Sequence, residues 1–141
     1  MTIIDTTTTF GQQVERRLRD EIVVWLTTVS KNDIPQPSPV WFLPVSDEEI
    51  LIYSQQNRPK LRNIAAHSTV ALSFNSSPTG GDVVVFHGEA TIDQDSAAAV
   101  NNPAYIEKYR EPISHLGMTP QSFSDEYSVP VRVQLTRLRG F

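Results

Sequence analysis

The chain is predicted to be mainly β with short helices, an α+β domain built as an antiparallel barrel of six strands. Three observations predict it. Runs rich in β-branched and aromatic residues recur at 22–29, 50–53, 70–74 and 83–92. Turn residues separate most of them by gaps that suit hairpin-like joins, which favours antiparallel pairing over parallel crossovers. A length of 141 residues suits one domain with one core, and no internal repeat or linker divides it, so 1–141 is expected to be a single domain.

The elements follow in order. Residues 6–9 are a threonine run whose hydroxyls compete for backbone hydrogen bonds, a lead-in ending near a helix cap. The helix over 10–20 puts Phe10, Val14 and Leu18 on one face and leaves Arg16, Arg17 and Arg19 largely off it. The strand over 22–29 is apolar or β-branched almost throughout and is expected to be buried on much of both faces. After a turn at 31–33, Pro35, Pro37 and Pro39 recur at alternate positions ahead of Val40, Trp41, Phe42 and Leu43. Proline has no backbone N–H, so this strand belongs at an edge, at a bulge, or where something else docks.

The strand at 50–53 ends in Ser54, Gln55, Gln56 and Asn57. Asn57 is the expected N-cap of a helix over 58–67, with Pro59 in its first turn. Strands at 70–74 and 83–92 flank a loop containing Pro78, Gly80 and Gly81. Short helices are expected at 96–102, 103–110 and 119–127, the last capped by Thr119, and a strand over 130–138 closes the chain.

A net charge of −4 and a pI near 5.3 supply no broad basic surface for nucleic acid or an anionic membrane. The absence of cysteine removes disulfides and thiolate chemistry and suits a reducing cytoplasm. Residues 1–10 lack the charged-then-apolar pattern of a signal peptide, and no apolar run nears the roughly 20 residues of a membrane helix. A cytoplasmic protein with no nucleic-acid or membrane partner is expected.

Two segments carry candidate chemistry. Arg58, Lys60 and Arg62 open a helix directly after a strand, where free N–H groups and the helix dipole favour an anion such as phosphate; alternatively they form a solvated basic face. The proline-spaced segment 36–42 leaves backbone groups free beside Val40, Trp41 and Phe42, which suits the edge and face of a flat heteroaromatic ring; alternatively its prolines protect an edge strand from aggregation. His67, His87 and His115 are far apart and match no metal-ligand spacing, so no metal site is expected. No nucleophile elbow or dinucleotide fingerprint occurs, so in an enzyme a cofactor would carry the reaction.

The run Glu21-Ile-Val-Val-Trp-Leu-Thr-Thr-Val29, then Pro35-Gln-Pro-Ser-Pro-Val-Trp-Phe42, then Tyr53-Ser-Gln-Gln-Asn-Arg-Pro-Lys-Leu-Arg-Asn-Ile64, resembles the pyridoxamine 5′-phosphate oxidase-like split-barrel proteins. Within them it is most similar to the deazaflavin (F420)-dependent oxidoreductases of the B group. Gly81 to Glu89, Tyr105-Ile-Glu-Lys-Tyr109, Leu116-Gly-Met-Thr-Pro120 and the ending from Tyr127 to Phe141 fit as well, so the likeness spans nearly the whole chain. The resemblance implies a six-stranded split β-barrel of the FMN-binding type, a homodimer with cofactor sites at its interface, and hydride transfer from F420 or FMN to or from a small-molecule substrate. Carried over, Lys60 with Arg58 and Arg62 would hold the cofactor phosphate. Gln36, Pro37, Ser38, Pro39, Val40, Trp41, Ser54 and Gln55 would border the ring, and Arg137 could face the partner's site. The chain is short and has no recognisable C-terminal substrate-phosphate motif, which argues against vitamin B6 oxidation. Arg16, Arg17 and Arg19 could meet the acidic tail of F420 or form an ordinary solvated face. A non-catalytic flavin or deazaflavin carrier is the alternative function, and a haem-binding barrel a third, weaker one.

Overall fold

The computed structural model describes residues 2–141. In chain order the elements are α1 (Thr9–Asp20), β1 (Val23–Val29), β2 (Pro35–Trp41), β3 (Leu43–Ser46), β4 (Glu49–Ser54), α2 (Pro59–Ala66), β5 (Thr69–Ser73), β6 (Val84–Ile92), α3 (Pro103–His115), α4 (Pro120–Glu126) and β7 (Val129–Gly140). The strands form one antiparallel sheet in the order β2-β1-β5-β6-β7-β4-β3. Its two edges, β2 and β3, are consecutive in the chain and separated only by Phe42, so the sheet curls round until its edges meet. That is a split barrel.

There are seven strands instead of the expected six because the segment after Pro35 breaks at Phe42. The Phe42 N–H donates to the Tyr109 hydroxyl at 2.7 Å, and its carbonyl accepts from Lys108 Nζ at 2.8 Å. With its backbone held by side chains of α3, Phe42 leaves the ladder while its ring is fully buried in the barrel core.

The edge placement of β2 agrees with its prolines. In the β1–β2 register Pro35, Pro37 and Pro39 face Val29, Thr27 and Trp25, while Gln36, Ser38 and Val40 face Thr28, Leu26 and Val24. Antiparallel pairs alternate between bonded and unbonded, so an intact ladder must put the prolines at the unbonded, outward-facing positions. The free edge therefore presents proline carbonyls and no N–H along 35–39.

Other expectations need correction. β1 is not buried on both faces: Val24, Leu26 and Thr28 point into the core, while Trp25 on the other face is 36% exposed. Arg58 rather than Asn57 is the N-cap of α2; Asn57 takes a left-handed φ of 61°, a conformation asparagine tolerates in tight turns. The stretch 96–102 makes only a 3₁₀ turn at Ala99–Asn101, and α3 continues to His115 through an internal Pro112. By contrast α4 starts as expected, with Thr119 and Ser122 closing a reciprocal capping box.

Two apolar clusters result. One fills the barrel, with Val24, Leu26, Phe42, Ile52, Leu72 and Phe86 among its members. The other lies beneath α3 and α4 and is aromatic, built on Tyr53, Tyr105, Tyr109 and Phe123. No helix among the described residues is long and apolar enough to cross a membrane.

Candidate functional site

A cavity of about 160 Å³ opens where the end of β2, the end of β4, the start of α2 and the α3–α4 layer converge. Each wall has a local cause. Ser54 ends β4 and Gln55 follows it, and the left-handed turn at Asn57 redirects the chain into α2, bringing Arg58 and Lys60 to the rim. Pro39, Val40 and Trp41 form the β2 wall. Tyr105, Phe123 and Tyr127 add an aromatic wall that continues from Trp41.

The start of α2 is electropositive and uncapped. No side chain caps its first turn, and Pro59 occupies the first helical position. Among the described residues the ion pairs belong to Arg17, Arg19 and Arg132, so Arg58, Lys60 and Arg62 have no carboxylate partner. Arg58 is oriented by the Gln55 side-chain oxygen, which accepts from its Nε at 2.7 Å and also from Nη2. Burial, and then the nearby Arg58 charge, hold the Lys60 amine below the ordinary lysine range. An anion at this rim would relieve the repulsion and satisfy the helix end at once.

Asn63, which sequence reasoning passed over, fixes the helix in place. Its Nδ2 donates to Thr28 Oγ1 at 3.0 Å and to Gln36 Oε1 at 2.8 Å, tying α2 to both β1 and β2. Ser54 is buried, and its hydroxyl donates to the Gln55 carbonyl at 2.8 Å.

Of the expected site residues, Pro39, Val40, Trp41, Ser54, Gln55, Arg58 and Lys60 share this cavity. Gln36 and Arg62 line a neighbouring cleft instead, beside Asn63 and the 30–34 turn. Two residues along a helix turn its face by roughly 200°, so Lys60 and Arg62 cannot point the same way. Pro37 and Ser38 lie further along β2 and line neither hollow, and Arg137 sits on β7 opposite His87. The α1 arginines are largely committed elsewhere. Arg17 is buried, pairs with Glu21 and Asp82, and donates to the Asn75 carbonyl, while Arg19 pairs with Asp20.

Beyond Trp41, the aromatic wall carries residues that went unnoticed. Trp41 stacks on Tyr109 with centroids 4.7 Å apart and on Phe123 at 5.4 Å, and Phe123 stacks on Tyr127 at 4.4 Å. Tyr105 packs on Tyr109 at 4.7 Å and meets Tyr53 edge-on at 4.8 Å. The available signal was the spacing of Tyr105 and Tyr109, and of Phe123 and Tyr127, each four apart and so on one helix face. Tyr105 is fully buried, and among the described residues its hydroxyl is the one buried side-chain polar atom without a hydrogen-bond partner. Burial and the surrounding tyrosines push its pKa well above the ordinary phenol range, so it stays protonated.

Residues 10–139 match the family model described as pyridoxamine 5′-phosphate oxidase. A search of the curated proteins finds no match. Among solved structures the chain is similar to an F420 reductase, at 23% identity over 89% of this chain and 94% of that one, with a TM-score of 0.69. It is also similar to HutZ, the heme storage protein from Vibrio cholerae, at 14% identity over 94% and 95% of the two chains and a TM-score of 0.65. A third likeness is to the conserved hypothetical protein Rv2991 from Mycobacterium tuberculosis, at 17% identity over 91% and 81% and a TM-score of 0.72. At these identities the structural likeness establishes the fold alone.

Proposed function

The chain belongs to the pyridoxamine 5′-phosphate oxidase family, and from that premise we propose that it is an oxidoreductase holding a flavin-type cofactor, F420 in first place or FMN, for hydride transfer to or from a small organic substrate. The observation that carries this reading is the cavity whose rim holds two uncompensated cations and whose walls are aromatic. The residues fit the group: Arg58, Lys60 and the uncapped first turn of α2 suit a phosphate, and the donor-free carbonyl edge of β2 suits the N–H edge of a flat ring. The bound cofactor supplies the hydride chemistry. The chain's part is to bind the phosphate with Lys60 and Arg58, to orient the ring along β2 beside Ser54 and Gln55, and to exclude water with Trp41, Phe123 and Tyr127.

A hollow of about 160 Å³ is well below the roughly 300–1,000 Å³ of sites that enclose a drug-sized ligand. One chain therefore borders the cofactor without enclosing it. A second copy packed across the site would complete the walls, which supports a two-fold homodimer with its sites at the interface.

A second reading, a carrier that binds the cofactor without turnover, has its own observation. No His, Asp or Glu lines the cavity among the described residues. Titration of the purified protein with F420 and with FMN, followed by reduction of a substrate panel by the loaded protein, tests both. Binding with turnover supports the oxidoreductase, binding without turnover supports the carrier, and no affinity for either cofactor removes both. Lys60→Ala is expected to weaken cofactor binding by about 1.5–3 kcal/mol while leaving the fold intact.

A further inference from the structure

We propose that Tyr105 is the anchoring donor of a substrate subsite at the aromatic end of the cavity, where its hydroxyl takes the neutral carbonyl oxygen of a single-ring, otherwise apolar molecule. The inference rests on the proposed cofactor reading, in which the phosphate occupies the Arg58–Lys60 end.

The chemistry of the wall selects this ligand class. A buried hydroxyl without a partner is unfavourable in the unliganded protein, and it is relieved when a ligand brings an acceptor. Tyr105 lines the cavity, is fully buried and lacks such a partner. Neighbouring tyrosines do not compensate it: the Tyr53 hydroxyl donates to the Ala97 carbonyl and accepts from Asn102, and the Tyr109 hydroxyl is engaged with Phe42. Because burial keeps Tyr105 protonated, it offers a donor to an incoming oxygen.

Charge and size narrow the class further. Both cations of the cavity sit on the α2 side, so a carboxylate seated among Trp41, Phe123 and Tyr127 would be desolvated without compensation. A neutral oxygen avoids that cost. A hollow of about 150 Å³ accommodates a benzene-sized ring, and the hollow of about 160 Å³ that one chain borders is shared with the cofactor end, so nothing larger than a single ring is expected at its aromatic end. Trp41, Phe123 and Tyr127, stacked on one another, give that end of the cavity an apolar aromatic lining.

The test uses acetophenone and its carbonyl-free analogue ethylbenzene as probes, with binding to the full chain followed by calorimetry or by ligand-observed NMR. The native protein should prefer acetophenone by about tenfold, and Tyr105→Phe, which keeps the ring and removes the hydroxyl, should bring the ratio close to one. The same variant should melt at a temperature equal to or above that of the native protein without ligand, because the hydroxyl it removes is unpartnered. An unchanged ratio in Tyr105→Phe, or a lowered melting temperature, overturns the inference. Separate titration with F420 and FMN distinguishes the two levels. If Tyr105→Phe loses cofactor affinity while the acetophenone preference persists, the hydroxyl belongs to the cofactor and the substrate subsite is wrong. If neither cofactor binds while the hydroxyl-dependent preference holds, the cofactor reading fails and the subsite stands.

Discussion

The Tyr109 hydroxyl holds both backbone groups of Phe42, accepting from its N–H at 2.7 Å and lying 2.8 Å from its carbonyl oxygen. This one side chain takes the place of a strand neighbour at the point where the sheet edges meet, and it also reaches the Ile22 carbonyl at 2.8 Å. The barrel's split and the aromatic layer over the cavity are thus joined through this phenol, with Lys108 donating to the same Phe42 carbonyl at 2.8 Å.

Tyr109→Phe keeps the stack with Trp41 but leaves a buried Phe42 N–H unmatched. Stability should fall by about 1–3 kcal/mol, measured as a lower midpoint in urea at unchanged slope. A midpoint equal to that of the native protein would show that the ladder does not need this bond.

Asn63→Leu should separate positioning from charge. It removes both ties of α2 and leaves the buried Thr28 hydroxyl without the Asn63 donor, so a loss of about 1–3 kcal/mol in stability is expected together with weaker cofactor binding. Lys60→Ala should affect binding alone. Measuring thermal unfolding and cofactor titration on both variants checks the distinction; equal stability losses would refute it.

Stability should rise with pH between about 8 and 10. Burial lowers the Lys108 amine to about 8, well below its ordinary range in an unfolded chain. Between those values the unfolded chain binds more protons than the folded one, so raising the pH favours folding. Below about 8 both states are protonated and the gain is absent. The buried Tyr105 and Tyr109 phenols are shifted upward, so above pH 10 they act in the opposite sense and stability falls. Lys108→Met should flatten the rise between pH 8 and 10 in urea titrations at stepped pH; a persisting slope would assign it to another group.

Assembly should be linked to cofactor. Light scattering in dilute solution should give twice the 15.8 kDa chain mass, and added F420 or FMN should suppress dissociation by mass action. The apolar surface for this is smaller than the aromatic content of the sequence suggests. Phe42 and Phe86 are fully buried in the barrel and Trp41 is stacked within the cavity wall, which leaves Trp25 and Phe141 as the exposed large aromatics. Cofactor bound at full stoichiometry to a species of one-chain mass would contradict the shared site.

Several features were legible because they depend on a few neighbouring residues. Alternating prolines forbid a central strand, and β2 is an edge. Thr119 followed by Pro120 starts a helix wherever it stands, and α4 begins there. A basic cluster straight after a strand marks a helix start turned toward the rim of a cavity, although helix geometry sends Lys60 and Arg62 to different hollows. The break at Phe42 was not legible, since it requires Tyr109 and Lys108 from 66 or 67 positions away. The unpartnered state of Tyr105 was equally hidden, because a missing hydrogen bond is a property of everything around the atom.

The sequence by itself determined the class of the chain, its edge strand, most helix starts and the basic entrance to α2, since steric limits on proline, capping chemistry and side-chain period act over a few residues. Only the tertiary structure decided where the barrel splits, which cations share a cavity, and that Tyr105, Phe123 and Tyr127 join Trp41 in walling it. Those outcomes depend on which distant groups satisfy or abandon one another's hydrogen bonds, and on how rings from separate elements pack, and no local pattern encodes either.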